Sequence, residues 1–537
     1  MPMLLKLTNT SQMMKTLFAL FNCCFFMLAS VTAQLTYQTS YDNGSYDKAV
    51  AVIQLHNNDL VMGGDTYNNT GFYEGYLMKT NEQGDTLWVR KYTTPGHLFV
   101  TDCIQARDHG YLLAGDLMDS VFTDRNMFII KTDSSGIPEW SRSFSGPEYD
   151  NLYSLTTLSD SSIILTGNTV SYTIHNLDAQ VLKLDPAGNI IWSRQLTHGW
   201  GSTLRGHRVF GTDDGGFVIT GEMDTITVVM GNKILVVKFD STDQVQWSNT
   251  YKGIYGSSIG NGIQTSDHGY LVAGRNYNWI AGDTFINHAY LLKLDSIGDI
   301  QWSKKFESPY NDDGIEAVET SDGYAMLGIS TGFSGNNLVG FNMFIVKTDT
   351  NGVVEWNKYY GGNVNSADMA KSFIKANDGG FIACGESSYM SYDSYLLKTD
   401  EYGNVNCNGY DFPLSDSIYI STMSPIDLTL SDQVYMAANM PVTYTTSNFV
   451  KLSPCTYSIP EYGEPTVIIY PNPCVDLFNI TGLQEDDEIA LYNLSGQLVR
   501  NYPNTQVFGV EGLVSGMYVV CIQHANKSSH YKKLIVH

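Results

Sequence analysis

The sequence predicts an all-β fold: a seven-bladed β-propeller of four-stranded blades, closed by its own N-terminal strand, with a small C-terminal β-sandwich behind it. Three observations carry this. The pattern KxDxxGxxxW recurs every 51 to 55 residues over most of the chain, a period of propeller blades rather than of helical solenoids. A second pattern, an Asp/Gly turn running into an apolar segment, precedes each copy. Finally, 35 tyrosines and 49 glycines accompany only 16 % charged residues, and no stretch sustains apolar spacing at the helical period; short strands and turns are favoured.

In chain order, residues 1–33 stand apart. Lys15 precedes an apolar run from Thr16 to Ser30, with small residues at Val31 and Ala33, the pattern of a signal peptide cleaved after Ala33. Met14 is an alternative start, because the segment from it already has the basic, apolar and small-residue parts. Asn22 before Cys23 argues against a lipoprotein anchor. No later segment approaches the roughly 18 to 20 apolar residues that span a bilayer. The mature chain is therefore expected to be exported and soluble. Its net charge of -24 argues against nucleic acid and anionic membrane as partners, since both are bound through Lys and Arg, and fits solubility.

Residues 34–407 hold the repeats. The copies begin at Lys79, Lys131, Lys183, Lys238, Lys293, Lys347 and Lys398, and in the last Cys407 stands where Trp is expected. The preceding signature reads DHGYLLAG from Asp108, DDGGFVITG from Asp213, SDHGYLVAG from Ser266, SDGYAMLG from Ser321 and NDGGFIACG from Asn377, with weaker forms from Asn57 and Ser159. Each repeat thus has four strands, A to D: A enters B through the Asp/Gly turn, C ends at the Lys, and D carries the Trp. Asp bonds its own following backbone and Gly supplies positive φ, so these are turn sequences that need no calcium. Asn81 and Asp243, which replace the Asp and Gly in two copies, agree. The seven Lys and the Asp two residues on repeat around the ring on one strand face, as structure rather than catalysis requires. His109 and His268 share one turn position and read the same way.

After each Trp the chain continues as strand D, as in WVRKY from Trp88, but the seventh repeat lacks this strand. Tyr37 to Tyr41 at the mature N-terminus matches it, so the N-terminal strand is expected to complete the last blade and remove free edges.

In a four-stranded meander the constant A–B and C–D turns share one end, and the variable B–C and D–A loops the other. The second end carries TTPGHLF from Thr93, THGWGSTLRGHRVF from Thr197, RNYNWIAGDTF from Arg275 and STGFSGNNLVGF from Ser330. Loops on a rigid scaffold are where binding residues concentrate. Trp200 and Trp279, with Tyr277, Arg205 and His207 and with His198 nearby, are the candidate ligand-binding residues, an aromatic platform for a glycan or peptide; loop packing is the plain alternative. No GxSxG, HExxH or P-loop pattern occurs. The expected function is non-catalytic binding or adhesion, and the alternative is a polysaccharide hydrolase or lyase using carboxylates such as Asp312 and Asp313. No catalytic, metal or cofactor residue is assigned, and nothing beyond the shared repeat supports a quinone.

The alternation of DGGYhhhG, h being apolar, with KxDxxGxxxWxKxY over residues 34–407 resembles the secreted propeller repeats of bacterial type IX secretion proteins, and more distantly quinoprotein-type repeats. That resemblance implies fold and almost nothing about chemistry. Residues 408–463 form a connector with strand content. In similar proteins a cysteine after the last repeat precedes such an insert and a second lies near its end, which implies a Cys407–Cys455 bridge. Cys474 with Cys521 is the second candidate bridge. Cys103 and Cys384 read as buried apolar residues, and the absence of CxxC argues against zinc.

From Glu464 short strands alternate with Pro, Asn and Gly turns. Tyr470-Pro471-Asn472-Pro473, Leu491-Tyr492-Asn493 with Gly496, Gly516-Met517-Tyr518 and terminal Lys532-Lys533-Leu534 resemble the type A C-terminal sorting domain of the type IX system over residues 464–537. The resemblance implies a signal-peptide step, then recognition of this domain by the outer-membrane secretion machinery, ending at the cell surface or outside the cell.

Overall fold

The computed structural model describes residues 34–537 apart from 172–176, 200, 226–231, 254–256, 281–283, 332–340, 362–367, 389–391, 406–408, 412–414, 419–420, 427, 448, 453–467, 471–473, 475, 482, 484–486, 494–497, 504, 506, 515, 524–528 and 537. The chain divides into two units, 1–456 and 457–537. The described residues are strands and turns, in a propeller-like arrangement of seven five-stranded antiparallel sheets, with two smaller sheets in the second unit.

Sheet 1 shows the plan: strands A to D are Asp47–Gln54, Leu60–Tyr67, Tyr73–Thr80 and Thr86–Thr93. Sheets 2 to 6 repeat it over 97–145, 150–197, 202–252, 257–307 and 311–360. Sheet 7 takes A to C from 368–399, and the N-terminal strand Tyr37–Asp42 is its D. Tyr37 lies opposite Lys398 just as Trp88 lies opposite Lys79 and Trp356 opposite Lys347. Seven apolar clusters fill the gaps between successive sheets; the one joining sheets 7 and 1 packs Ile382, Cys384 and Leu396 against Val52, Met62 and Tyr76.

The repeated residues now have physical reasons. Six of the seven repeat Lys reach the Asp of an A–B turn, as in Lys131–Asp108 at 2.7 Å, Lys238–Asp214 at 2.7 Å and Lys398–Asp378 at 2.8 Å. The Asp two residues after the Lys is not its ion-pair partner. That Asp folds its own turn: Asp133 accepts from the Ser135 and Ile137 amides at 2.8 and 2.9 Å. The turn Gly is left-handed, and at Gly136 a Cβ would also strike the Trp88 ring of the preceding sheet. Where Asp243 replaces that Gly, φ is +63°, and its carboxylate binds Lys183 at 2.8 Å and Trp192 Nε1 at 2.9 Å. Tyr92 and Tyr41 of strand D donate to Gly136 and Gly84 of the next sheet at 2.8 and 2.7 Å.

Every strand A bulges at one register, as between Ala49 and Ala51 or Gly206 and Arg208. A bulge leaves an amide unpaired, and carboxylates of the preceding sheet take two such groups: Asp65 accepts from Val100 and Asp116 from Leu152, at 3.2 and 2.8 Å. The bulge also drives a strand-A carbonyl over strand B. At Gly64, Gly167, Gly221 and Gly385 a Cβ would sit 1.9 Å from that oxygen, which explains the Gly closing the second signature.

Four-stranded blades were expected, and a connector. Instead residues 409–452 lay a fifth strand on every D strand. Gly409–Asp411, Ser415–Ile418, Thr422–Pro425, Thr429–Asp432, Met436–Asn439, Thr443–Ser447 and Val450–Leu452 pair in turn with sheets 6, 5, 4, 3, 2, 1 and 7. From Thr422 on, successive strands start seven residues apart. Between them Ile426, Tyr435, Met440 and Phe449 plug the gaps between sheets. The Ser after the Trp holds this belt: Ser141 donates to the Met440 carbonyl and Ser248 to that of Ile426, both at 2.5 Å, and Ser193 donates to Gln433.

In the second unit a three-stranded sheet, Ile468–Tyr470, Leu477–Thr481 and Val507–Gly509, and a four-stranded sheet, Leu498–Tyr502, Glu488–Asn493, Gly516–Gln523 and Ser529–Val536, share one core around Phe478, Leu491, Phe508 and Val520. Tyr470, Gly516, Tyr518, Lys532 and Lys533 of the expected motifs lie on these strands, and Tyr518 donates to the Val514 carbonyl at 2.7 Å. Pro471, Asn472, Pro473 and Gly496 fall outside the described residues. The Cys474–Cys521 bridge is overturned, for both are free and buried. Cys474 bridges Val536, which faces Gly516, so Cys521 lies five residues further along that strand, roughly 16 Å away and far beyond disulfide reach. Cys407 and Cys455 lie outside the described residues.

Candidate functional site

Strand A starts beside the end of strand B, as in Asp47 opposite Thr66 and Asn311 opposite Thr331. The D–A and B–C connections therefore share one end of the sheets. Several groups gather there.

The first is an aromatic file across sheets 7, 1 and 2. Tyr392 packs on Tyr46 with centroids 4.9 Å apart, Tyr46 meets Tyr73 edge-on at 6.2 Å, and Tyr73 packs on Phe99 at 4.6 Å. His97 then stacks on Phe99 at 6.0 Å and on Phe122 at 4.2 Å. Burial keeps His97 below its ordinary pKa, and its Nδ1 accepts from the Tyr73 amide at 3.3 Å. Tyr392, Tyr67 and Phe122 are 50 %, 39 % and 51 % exposed. The sequence reading missed this file, although Tyr67, Phe72 and Tyr73 crowd one short hairpin.

The second group contains two expected residues. Arg205 and His207 both face Glu222, at 3.7 and 3.8 Å, and His207 stacks on Tyr153 at 5.3 Å. They do not lie in a loop as expected, but on strand A of sheet 4, Ser202–Gly211; bulging there gives polar side chains positions on the innermost strand. Deeper along it Arg208 lies 3.7 Å from Asp102 and 3.0 Å from Glu316, joining sheets 2, 4 and 6. Burial raises the pKa of Glu316 despite this guanidinium.

In the third group Arg275 pairs with Asp313 at 3.2 Å and lies 5.6 Å from the Tyr277 ring centroid. Tyr277 is also on a strand, Tyr270–Ile280, rather than in a loop. Trp279 is on the same strand, its side chain outside the described residues, as is all of Trp200. Asp312 is fully buried and accepts from the amide and hydroxyl of Ser308 at 3.2 and 2.6 Å. Asp47 and Asp150 hold the corresponding turns through the Asn43 and Gly146 amides, each at 2.8 Å. Asp312 therefore secures a turn and does not face solvent. Among the described residues no cluster of three His, Cys, Asp or Glu could hold a metal, and no helix is long and apolar enough to cross a membrane.

Residues 468–537 match the family model described as the secretion system C-terminal sorting domain. This domain marks the chain for export by the type IX route to the cell surface or extracellular space. No curated protein matches significantly. Among solved structures, the extracellular domain assigned to a hybrid two component system from B. thetaiotaomicron is 11 % identical over 91 % of this chain and 67 % of that one, with a TM-score of 0.28. One assigned to a one component system of the same organism is 9 % identical over 91 % and 81 %, with a TM-score of 0.19. A xylan β-1,4-xylosidase from Bacillus halodurans is 9 % identical over 77 % and 99 %, with a TM-score of 0.22. Likeness at this level carries no argument about fold or activity.

Proposed function

We propose that the seven sheets close into one seven-bladed propeller, and that the exported protein is a non-catalytic glycan-binding protein using the variable end. The aromatic file carries the reading. A row of rings spanning three sheets, exposed at Tyr392 and Phe122 and half-buried at Tyr46, Tyr73 and Phe99, offers apolar faces on which pyranose rings stack, and the ion-paired groups at the same end of the sheets offer fixed polar contacts. Among the described residues nothing at this end sets a nucleophile against a general base, and Asp312 is committed to its turn. A glycan array with the wild-type chain, Tyr73→Ala and Phe122→Ala tests the reading: both variants should lose the wild-type signal while melting normally. Turnover of any polysaccharide that Asp313→Asn abolishes would replace it with the hydrolase or lyase alternative.

The bridge between Cys407 and Cys455 belongs to the same reading. The belt begins on sheet 6 and ends on neighbouring sheet 7, so cysteines just outside those ends would clasp it into a hoop. Non-reducing peptide mapping should find them joined; two free thiols would remove the clasp.

A further inference from the structure

Near the aromatic file stands a lysine without a hydrogen-bonded or ion-paired partner among the described residues. Lys371 occupies the strand-A bulge of sheet 7, between Ala370 and Ser372, the position at which sheets 3 and 4 present Tyr153 and His207. Among the described residues it makes no hydrogen bond and no ion pair, although burial lowers its pKa. The repeat lysines, by contrast, all have carboxylate partners.

The charges that act on Lys371 include Glu386, Lys48 and Asp65, and both carboxylates have other partners. Glu386 accepts from the Tyr46 hydroxyl at 2.6 Å. Asp65 holds Lys48 at 3.1 Å and the Val100 amide at 3.2 Å. Glu386 lies opposite Met369, two residues before Lys371 on strand A, and holds the Tyr46 hydroxyl, so this lysine and the middle of the file share one carboxylate neighbour. An ammonium drawn from water without a hydrogen-bonding anion is costly, and an anion supplied by a ligand removes that cost through a charge-assisted bond.

We propose that the file binds an anionic sugar, its ring on Tyr46 and Tyr73 and its carboxylate or sulfate on the Lys371 ammonium. This rests on the glycan-binding reading and adds the charge of the ligand and the residue that selects it.

The test measures binding of the full mature chain to immobilised polygalacturonate, its methyl ester and dextran sulfate, for wild type, Lys371→Gln and Tyr73→Ala. Wild type should bind at least one anionic polymer roughly tenfold more tightly than the methyl ester. Lys371→Gln should lose that preference and keep its residual binding to the ester, while Tyr73→Ala loses both. Preference for polygalacturonate assigns a carboxylate, and preference for dextran sulfate a sulfate. Equal wild-type binding to acid and ester, lost in Tyr73→Ala, would overturn the anion selectivity and leave the platform standing. An undiminished preference in Lys371→Gln would overturn the role of the lysine. Binding to none of the three polymers would overturn the proposal, while a neutral hit on the glycan array would still support the platform.

Discussion

The inner four strands of each sheet and the fifth strand around them meet the same sevenfold geometry with different amounts of sequence. The inner strands take 51 to 55 residues per sheet and bury a shared apolar cluster against each neighbour. The belt takes six or seven residues per sheet, contributing a ladder of three to five paired residues and, at several of the gaps, a plugging side chain. Burial of apolar area sets most of the stability of such sheets, whereas the belt chiefly covers edges that would otherwise recruit other chains. The packed inner sheets should therefore survive loss of the belt, but not loss of one of their own strands.

The largest effect is expected from deleting residues 34–42. This uncovers strand C of sheet 7, removes Tyr41 from the core between sheets 7 and 1, and takes away the partner of the last belt strand. Cooperative melting should be lost and multimers should appear in size-exclusion chromatography; a monodisperse product that melts like the parent would break the comparison.

Ending the chain at residue 405 should do less. The circular dichroism of the sheets should persist with a lowered Tm, and aggregation should rise through seven exposed edges, while ending it at 456 should leave the seven sheets unchanged. Complete unfolding of the shorter form would show that the belt is as essential as the inner strands.

The acid response sharpens the contrast, because its strongest contributors lie on the inner strands and their turns. Burial raises the pKa of Asp47 to about 7 and those of Asp116, Asp178 and Asp312 to about 6. Asp214, despite opposing burial, is held at about 2 by Lys238, Thr212 and the Gly216 amide. For the raised groups the native state binds protons that the unfolded chain does not, between about pH 4 and 7, so stability increases as pH falls through that window. For Asp214 the sign reverses, and stability is lost as pH falls below the unfolded value near 4. The Tm should rise from pH 8 to 5 and fall below pH 4, with or without the belt, and Asp312→Asn should flatten part of the rise. A profile flat from pH 8 to 5 would contradict the burial of these carboxyls.

The smallest effect is expected at one belt plug. Tyr435 donates its hydroxyl toward Asp150, 2.9 Å away, and also contacts Gln180. Tyr435→Phe should cost about 1 kcal/mol, read as a small drop in Tm; no change would mean that the plug acts by shape alone.

The strand order of each repeat was legible because a period above 50 residues stands out and its Lys, Gly and Trp each have one stereochemical task. The role of Tyr37 was legible too, four residues before Tyr41 as Trp88 is before Tyr92. The belt was not, because strands of three to five residues fall below the length at which alternation can be read, and most of its partners lie more than a hundred residues away. Its trace was the Ser that follows the Trp in four repeats. At the variable end, polar RGHRVF reads as loop because the bulge and the innermost position let a strand carry Arg and His. The aromatic file was hidden because Tyr46, Tyr73, Phe99, Phe122 and Tyr392 meet only where sheets 7, 1 and 2 pack together.

The direction of the belt has a mechanical consequence. The repeats run from sheet 1 to sheet 7, and the belt returns from sheet 6 to sheet 1 before ending on sheet 7. Tension applied through the C-terminal unit therefore reaches Val450–Leu452 first and can unzip the belt one short ladder at a time. For a chain held at a cell surface by its C-terminal end, those seven small ruptures would act as a fuse in series, dissipating load before the seven apolar cores feel it. Single-molecule pulling between residues 34 and 456 should show small early steps of about seven residues each, ahead of the large rupture of the sheets.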